Sequence, residues 1–263
     1  MAAELPDPFC YPGTRILRNR LGHQRDDWLE EAEAFAYSYR REFLPPRGFR
    51  PDMRGLKQIH EQLLGDVYEW AGYARHEPVI VDGQLVEPRE HSMRKGEAEF
   101  ASSEYSRLAL PRELALRRDE LEVLRDRGTL KASHWWGSTA EALSLINWAH
   151  PFREGNGRAM RHFATCSAEY CGFGCTLPRR REWMVASTMA LRNNSAQPFG
   201  ALLAKHTVPR PRVMADAIGR GAAVLRMLEG IARTVEESER KAALEHLAGV
   251  LRPARGPERG RSR

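Results

Sequence analysis

The 263-residue chain has no apolar run near the roughly 18 residues that a membrane-crossing helix needs. Its first twenty residues, MAAELPDPFCYPGTRILRNR, also hold no apolar core of a secretory leader. No membrane partner is therefore expected, and the expected location is cytoplasmic. Cysteine is scarce. Cys10, Cys166, Cys171 and Cys175 form no CxxC pair, which argues against a disulfide scaffold or a zinc ribbon and leaves them as small hydrophobes. No internal repeat is found, and convincing strand signals are confined to one place.

Hydrophobic residues make up 42% of the chain, enough at this length for a core that needs no covalent staples. The net charge of +6 is unevenly spread: the C-terminal RPARGPERGRSR accounts for +4 of it, in a Pro/Gly/Arg segment that cannot pack a core. The remaining body is nearly balanced, so a nucleic-acid partner is not expected.

DDWLEEAEAFAYSYRREFL (26–44) begins acidic and ends basic, with apolar positions at Trp28, Leu29, Ala32, Phe35 and Ala36. It reads as an amphipathic helix. A second helix follows PPRG, with Leu56, Ile59, Leu63 and Leu64 on one stripe. PVIVDGQLVEP then gives two short β-rich runs around Asp82-Gly83, a pair suited to a type I′ turn. Helical patterning returns from 91 to 149, with a loop expected near Gly128–Gly137, a helix start at Ser138, and the adjacent Trp135 and Trp136 expected in the core. Another helix ends at Cys171-Gly172 and further helix is expected over 182–204. Two prolines at 209 and 211 precede one or two amphipathic helices over 213–251. The architecture predicted is all-α with one β-hairpin.

The densest chemistry lies in HPFREGNGRAMR (150–161), between two apolar helices. Gly155, Asn156 and Gly157 allow left-handed backbone with outward N–H groups, and the following helix adds its positive end, so the loop suits an anion. Arg158 and Arg161 are expected to project together and clamp further phosphate oxygens. Glu154 beside a polyphosphate suits a magnesium ion bridging the two. His150 sits at the rim, where a neutral imidazole, a group whose unperturbed pKa is about 6.5, can take a proton from an attacking hydroxyl. Phe152 is expected to turn inward as an anchor. A base, a metal ligand, an anion hole and two arginines together point to nucleotide chemistry.

At every specified position this stretch resembles the Fic family signature, HPFx[D/E]GNGRxxR. YPGTRILRNRLG with the acidic helix after it, GDVYEWAG (65–72) and RHFATCSAEYCGF are also similar to segments of bacterial Fic domains, covering residues 10–205. The resemblance implies a Fic-type helical bundle with a hairpin flap. It also implies transfer of AMP from ATP to a Ser, Thr or Tyr hydroxyl of a target protein, with pyrophosphate released. Carried over by position, His150 is the general base and Glu154 holds Mg2+. Asn156 and the backbone of Gly155 and Gly157 receive the α-phosphate, Arg158 and Arg161 take the leaving phosphates, and Phe152 packs inside. The flap of Val79, Ile80, Val81, Asp82, Gly83, Gln84, Leu85 and Val86 docks the target by strand addition. Family kinases carry a lysine at the position of Gly157, so the glycine here favours nucleotidyl transfer.

Many family members carry an inhibitory [S/T]xxxE[G/N] helix whose glutamate pairs with the second motif arginine, here Arg161. In this chain Glu-Gly occurs only at Glu154 and Glu229, and neither His150 nor Leu225 four residues earlier is Ser or Thr. The expectation is a toxin whose brake comes from a separate small helical antitoxin, with a type II topoisomerase subunit as the family-suggested target. The alternatives are a secreted effector modifying a host protein and a catalytically idle Fic-fold binding module. The organisation expected is a Fic domain over 1–209, a helical appendage over 210–251 and a basic tail over 252–263.

Overall fold

The chain divides after Pro211 into two units. The computed structural model describes residues 7–87, 94–95 and 98–208, all in the first unit. The expected appendage at 210–251 and basic tail at 252–263 lie outside the described residues.

Helix α1 (Asp26–Arg40) has Asp26 and Asp27 in its first turn and Arg40 in its last, so its charges complement the helix dipole. Helix α2 (Met53–Leu64) starts at Asp52, whose side chain accepts the Gly55 N–H at 3.1 Å. Leu56, Ile59, Leu63 and Leu64 form its buried stripe, as their spacing predicts. Strands β1 (Val79–Val81) and β2 (Gln84–Val86) pair antiparallel with Val81 opposite Gln84. Asp82 and Gly83 both take positive φ, 49° and 73°, which is the type I′ geometry expected of that dipeptide.

Beyond the hairpin, β3 (Arg94–Lys95) pairs with β4 (Ala98–Glu99), and a π-helical turn at Tyr105–Ala109 leads into α3 (Leu110–Asp126). Helix α4 (Ala132–Ala149) is followed by α5 (Asn156–Tyr170), β5 (Gly174–Cys175), α6 (Arg180–Asn193), α7 (Gln197–His206) and β6 (Thr207–Val208), which pairs antiparallel with β5. The architecture is mostly helical, as read from the sequence. The two extra pairs have two-residue strands, too short to leave a periodic signal.

The start of α4 differs from expectation: the helix begins six residues before Ser138, whose hydroxyl donates to the Arg117 carbonyl on α3 at 3.1 Å. Trp135 is thereby helical and fully buried, its indole N–H on Ser167 at 3.2 Å, and Trp136 packs partly buried against the core. Helices α2 and α4 pack against α5, while α3 and α7 pack on α4. Phe152, Met160, Phe163, Leu143, Ile146 and Phe199 fill the space among them.

Helix α1 follows its apolar reading in part. Leu29 and Ala36 are buried in the hydrophobic core, but Trp28 is 46% exposed, and polar contacts add to the apolar ones. Glu33, Tyr37 and Arg40 lie on one face (i, i+4, i+7). Glu33 meets Arg158, Tyr37 bonds His162 at 2.9 Å, and Arg40 makes two bonds to Asp66 at 2.5 and 2.6 Å.

Candidate active site

The motif joins two helices end to end. Helix α4 stops at Ala149, and His150 takes left-handed φ 45°, ψ 56°. Gly155, at φ 79°, then starts α5. Of the Gly-Asn-Gly trio only Gly155 is left-handed; Asn156 and Gly157 already belong to α5, which differs from the sequence expectation. A side chain at Gly155 is also excluded sterically, because its Cβ would stand 2.4 Å from Leu64 Cδ1 and 3.2 Å from His60 Nε2. Around Gly157, by contrast, a Cβ would meet nothing within 4 Å.

The carbonyls of the loop are tied down one after another. Arg75 Nε donates to the carbonyls of His150 (3.1 Å) and Phe152 (2.8 Å), and its guanidinium also reaches Arg153 O at 3.2 Å. The Arg75 backbone N–H donates to Pro151 O at 2.7 Å. His60 Nε2 lies 2.8 Å from Glu154 O, while His60 Nδ1 accepts the Gly72 N–H at 2.8 Å. That second bond fixes the tautomer: Nε2 carries the hydrogen and donates to Glu154. Burial holds His60 neutral, its pKa lowered to about 4, and burial likewise lowers Arg75 to about 10. Phe152 is fully buried and stacks on the His60 ring with centroids 3.8 Å apart, the inward anchor expected of it.

Asn156 has a narrower role than a side-chain phosphate ligand. Its amide is buried and closes a ring with Phe152, accepting its N–H at 2.9 Å and donating to its carbonyl at 2.8 Å. What remains for an anion is the first turn of α5, where the N–H groups of Asn156, Gly157 and Arg158 have no partner four residues back in the helix.

The arginines differ from expectation as well. Rather than projecting together, Arg158 turns to Glu33 at 2.5 Å, a carboxylate that also accepts the Tyr68 hydroxyl, and Arg161 donates to Pro178 O at 3.0 and 2.7 Å. Each long side chain follows a partner on a different neighbouring element, which a helical spacing cannot foretell. Burial and the Glu33 carboxylate push the Tyr68 phenol pKa up.

Glu154 is exposed, accepts the Gly155 N–H at 2.9 Å and stands 4.0 Å from Arg158. Among the described residues no cluster of three or more His, Cys, Asp or Glu is placed to hold a metal. A lone exposed carboxylate beside an anion loop fits magnesium, which binds through one or two carboxylates plus substrate phosphates and water. His150 is partly buried, its ring 4.5 Å from Phe100 between centroids. The flap presents Ile80 and Leu85, opposite one another and 60% and 63% exposed, while Val79 and Val81 face the core. Its turn is held by Arg18 on the Asp82 carboxylate at 2.7 Å and by the Glu69 carboxylate, which accepts the Asp82 N–H at 2.7 Å. A cleft of about 770 Å³ between α2 and the 71–77 loop, lined by Lys57, Glu61, Tyr73, His76 and Arg107 among others, includes no motif residue.

His60, Arg75, Glu33 and Tyr68 were not singled out from the sequence. His60 carried one signal, a histidine set among the apolar positions of α2.

Residues 51–167 match the model of the Fic/DOC family. The chain is 35% identical over 171 residues to a Sinorhizobium fredii protein named "Probable protein adenylyltransferase y4lH", covering 64% of this chain and 78% of the relative. It is 31% identical to the Escherichia coli "Probable protein adenylyltransferase Fic" over 64% of this chain and 74% of that one. It is 29% identical to "Protein adenylyltransferase VbhT" of Bartonella schoenbuchensis, with 72% of this chain but only 37% of VbhT matched. Among solved structures, the N-terminal Fic domain of a Bartonella quintana VirB-translocated effector with bound ADP superposes with TM-score 0.65 at 25% identity, over 77% of this chain and 95% of that one. BepC from Bartonella tribocorum with bound AMPPNP gives 0.64 at 24%, over 76% and 96%.

Proposed function

The chain belongs to the Fic/DOC family, and from that premise we propose that it is a protein adenylyltransferase, moving AMP from ATP to a hydroxyl of a target protein. The observation that carries this reading is the loop itself: a short turn joins a histidine at the C-terminal end of α4 to a helix start whose first-turn N–H groups suit phosphate, and the turn carries an exposed carboxylate, Glu154.

His150 takes the proton of the target hydroxyl. The hydroxyl oxygen forms a bond to the α-phosphorus of ATP as the bond from that phosphorus to the β-bridging oxygen breaks, and pyrophosphate leaves with the electron pair. The first-turn N–H groups of α5 stabilise the charge that develops on the phosphate oxygens. Glu154 would hold Mg2+, whose chemistry when bound is to neutralise the triphosphate. Arg158 and Arg161, held in this structure by Glu33 and by the Pro178 carbonyl, would turn to the nucleotide and supply positive charge for the leaving pyrophosphate.

The flap docks the target as an added strand, with Ile80 and Leu85 as its apolar contacts. Among the described residues Arg161 meets a carbonyl rather than a carboxylate, and the sequence carries no [S/T]xxxE[G/N] motif to supply a glutamate to that arginine. On this reading a separate helical antitoxin supplies it, and the target is a bacterial protein such as a topoisomerase subunit. A second reading, an effector acting on a host protein, is favoured by the fold likeness to VirB-translocated Bartonella effectors.

The test is incubation of the chain with ATP labelled at the α-phosphate, magnesium, and either bacterial or eukaryotic lysate. Label is expected on a discrete protein band and is expected to vanish with His150→Ala. The lysate that supplies the band separates the toxin from the effector reading. Labelling that survives the substitution, or no labelling in either lysate, overturns the proposal.

A further inference from the structure

We infer that His60 and Arg75, both outside the motif, are positioning residues that set the anion-binding face of the 150–158 loop; the inference rests on the preceding reading for the identity of the ligand. A loop that receives a polyphosphate must keep its carbonyl oxygens away from it, since each would repel the anion. Here five consecutive carbonyls, from His150 to Glu154, are bonded to donors from a different part of the chain. Arg75 takes the first four with its side chain and its own backbone N–H, and His60 takes the fifth. Of the N–H groups that follow these carbonyls, Pro151 has none and those of Phe152 and Gly155 are taken by Asn156 and Glu154, so the ties act by holding the loop in place against the first turn of α5, whose N–H groups at 156–158 are left for the anion.

The two residues are suited to the task in different ways. His60 is locked by three contacts: the Gly72 N–H on Nδ1, the Phe152 ring stacked on its face, and the Glu154 carbonyl at Nε2. It also sits so close beneath Gly155 that it defines how deep the loop can lie. Arg75 contributes a planar fork that spans three carbonyls at once, a geometry that the single point donor of a lysine does not reproduce. Its charge sits on the carbonyl side of the loop, bonded to the carbonyls of His150, Phe152 and Arg153.

The experiment is calorimetric titration of the full chain with inorganic tripolyphosphate in magnesium buffer, comparing the original protein with R75M, R75K, H60F and H60Q. The original chain is expected to bind. R75M and H60F are expected to bind about tenfold more weakly or worse while melting cooperatively. R75K, which keeps the charge and loses the fork, is expected to be weakened as well. H60Q, whose amide offers both a donor and an acceptor, is expected to recover part of what H60F loses.

Absence of binding by the original chain overturns the inference, as does unchanged affinity in folded R75M or in folded H60F. Should R75M fail to fold, R75K decides in its place, unchanged affinity overturning the inference. Transfer from α-labelled ATP, measured alongside, separates the two readings. A chain that binds tripolyphosphate with this variant pattern but transfers no AMP sinks the reaction and leaves the positioning roles standing.

Discussion

The two glycines that flank Asn156 look equivalent in sequence and are opposite in structure. Gly155 has a left-handed backbone and no room for a Cβ; Gly157 is helical, exposed and unobstructed. Gly155→Ala is therefore expected to cost about 1–3 kcal/mol of stability through backbone strain, with the Leu64 clash added, and to lose tripolyphosphate binding with it. Gly157→Ala is expected to leave stability unchanged or raise it by up to about 1 kcal/mol, since alanine is the better helix former. The same methyl stands on the bare surface where the phosphate must approach the backbone, so AMP transfer is expected to fall at least about tenfold without loss of fold. Thermal melts and labelling of the two variants check the contrast; equal melting temperatures would show that the strain at Gly155 is not real.

At the scale of elements, the hairpin was the most legible part of the chain, because Asp-Gly between β-branched runs fixes both the turn type and the register. The buried stripe of α2 and the end of α5 were legible for the same reason, local periodicity and a local stop signal. The supports of the motif were not. Arg75 and His60 act on main-chain carbonyls 75 to 94 positions away, and a carbonyl has no side-chain identity to leave in a sequence. The hairpin also yields a prediction of its own. Ile80 and Leu85 are an exposed apolar pair on a strand edge whose opposite face is anchored by Val79 and Val81, so replacing both with aspartate removes the apolar contact without disturbing the core. Labelling of the target protein by I80D/L85D is expected to fall several-fold while tripolyphosphate affinity is unchanged. Full labelling by that variant would mean that the flap does not contact the target.

Across the described body, the N-terminal helix buries Leu29 and Ala36 in the core and is joined to the motif helix by polar groups as well. Glu33 with Arg158 and Tyr68, and Tyr37 with His162, tie α1 to α5 and to the segment after α2. Such a joint depends on protonation state in a way an apolar one does not. Burial, with the positive charges of Arg161 and Arg41 nearby, lowers the His162 pKa to about 3, so the imidazole is neutral in the folded protein at every pH where the unfolded chain would begin to charge it. The unfolded state then binds more protons than the native state below pH 6.5, and stability falls as pH drops from there toward the folded value. Between pH 6.5 and 5 the loss from this one residue is expected to be about 2 kcal/mol. His162→Asn keeps a polar side chain opposite Tyr37 and removes the titration. The variant is expected to start less stable at neutral pH and to show a shallower decline on acidification, measured by chemical denaturation at a series of pH values. A decline as steep as that of the original chain would assign the acid sensitivity to groups other than His162.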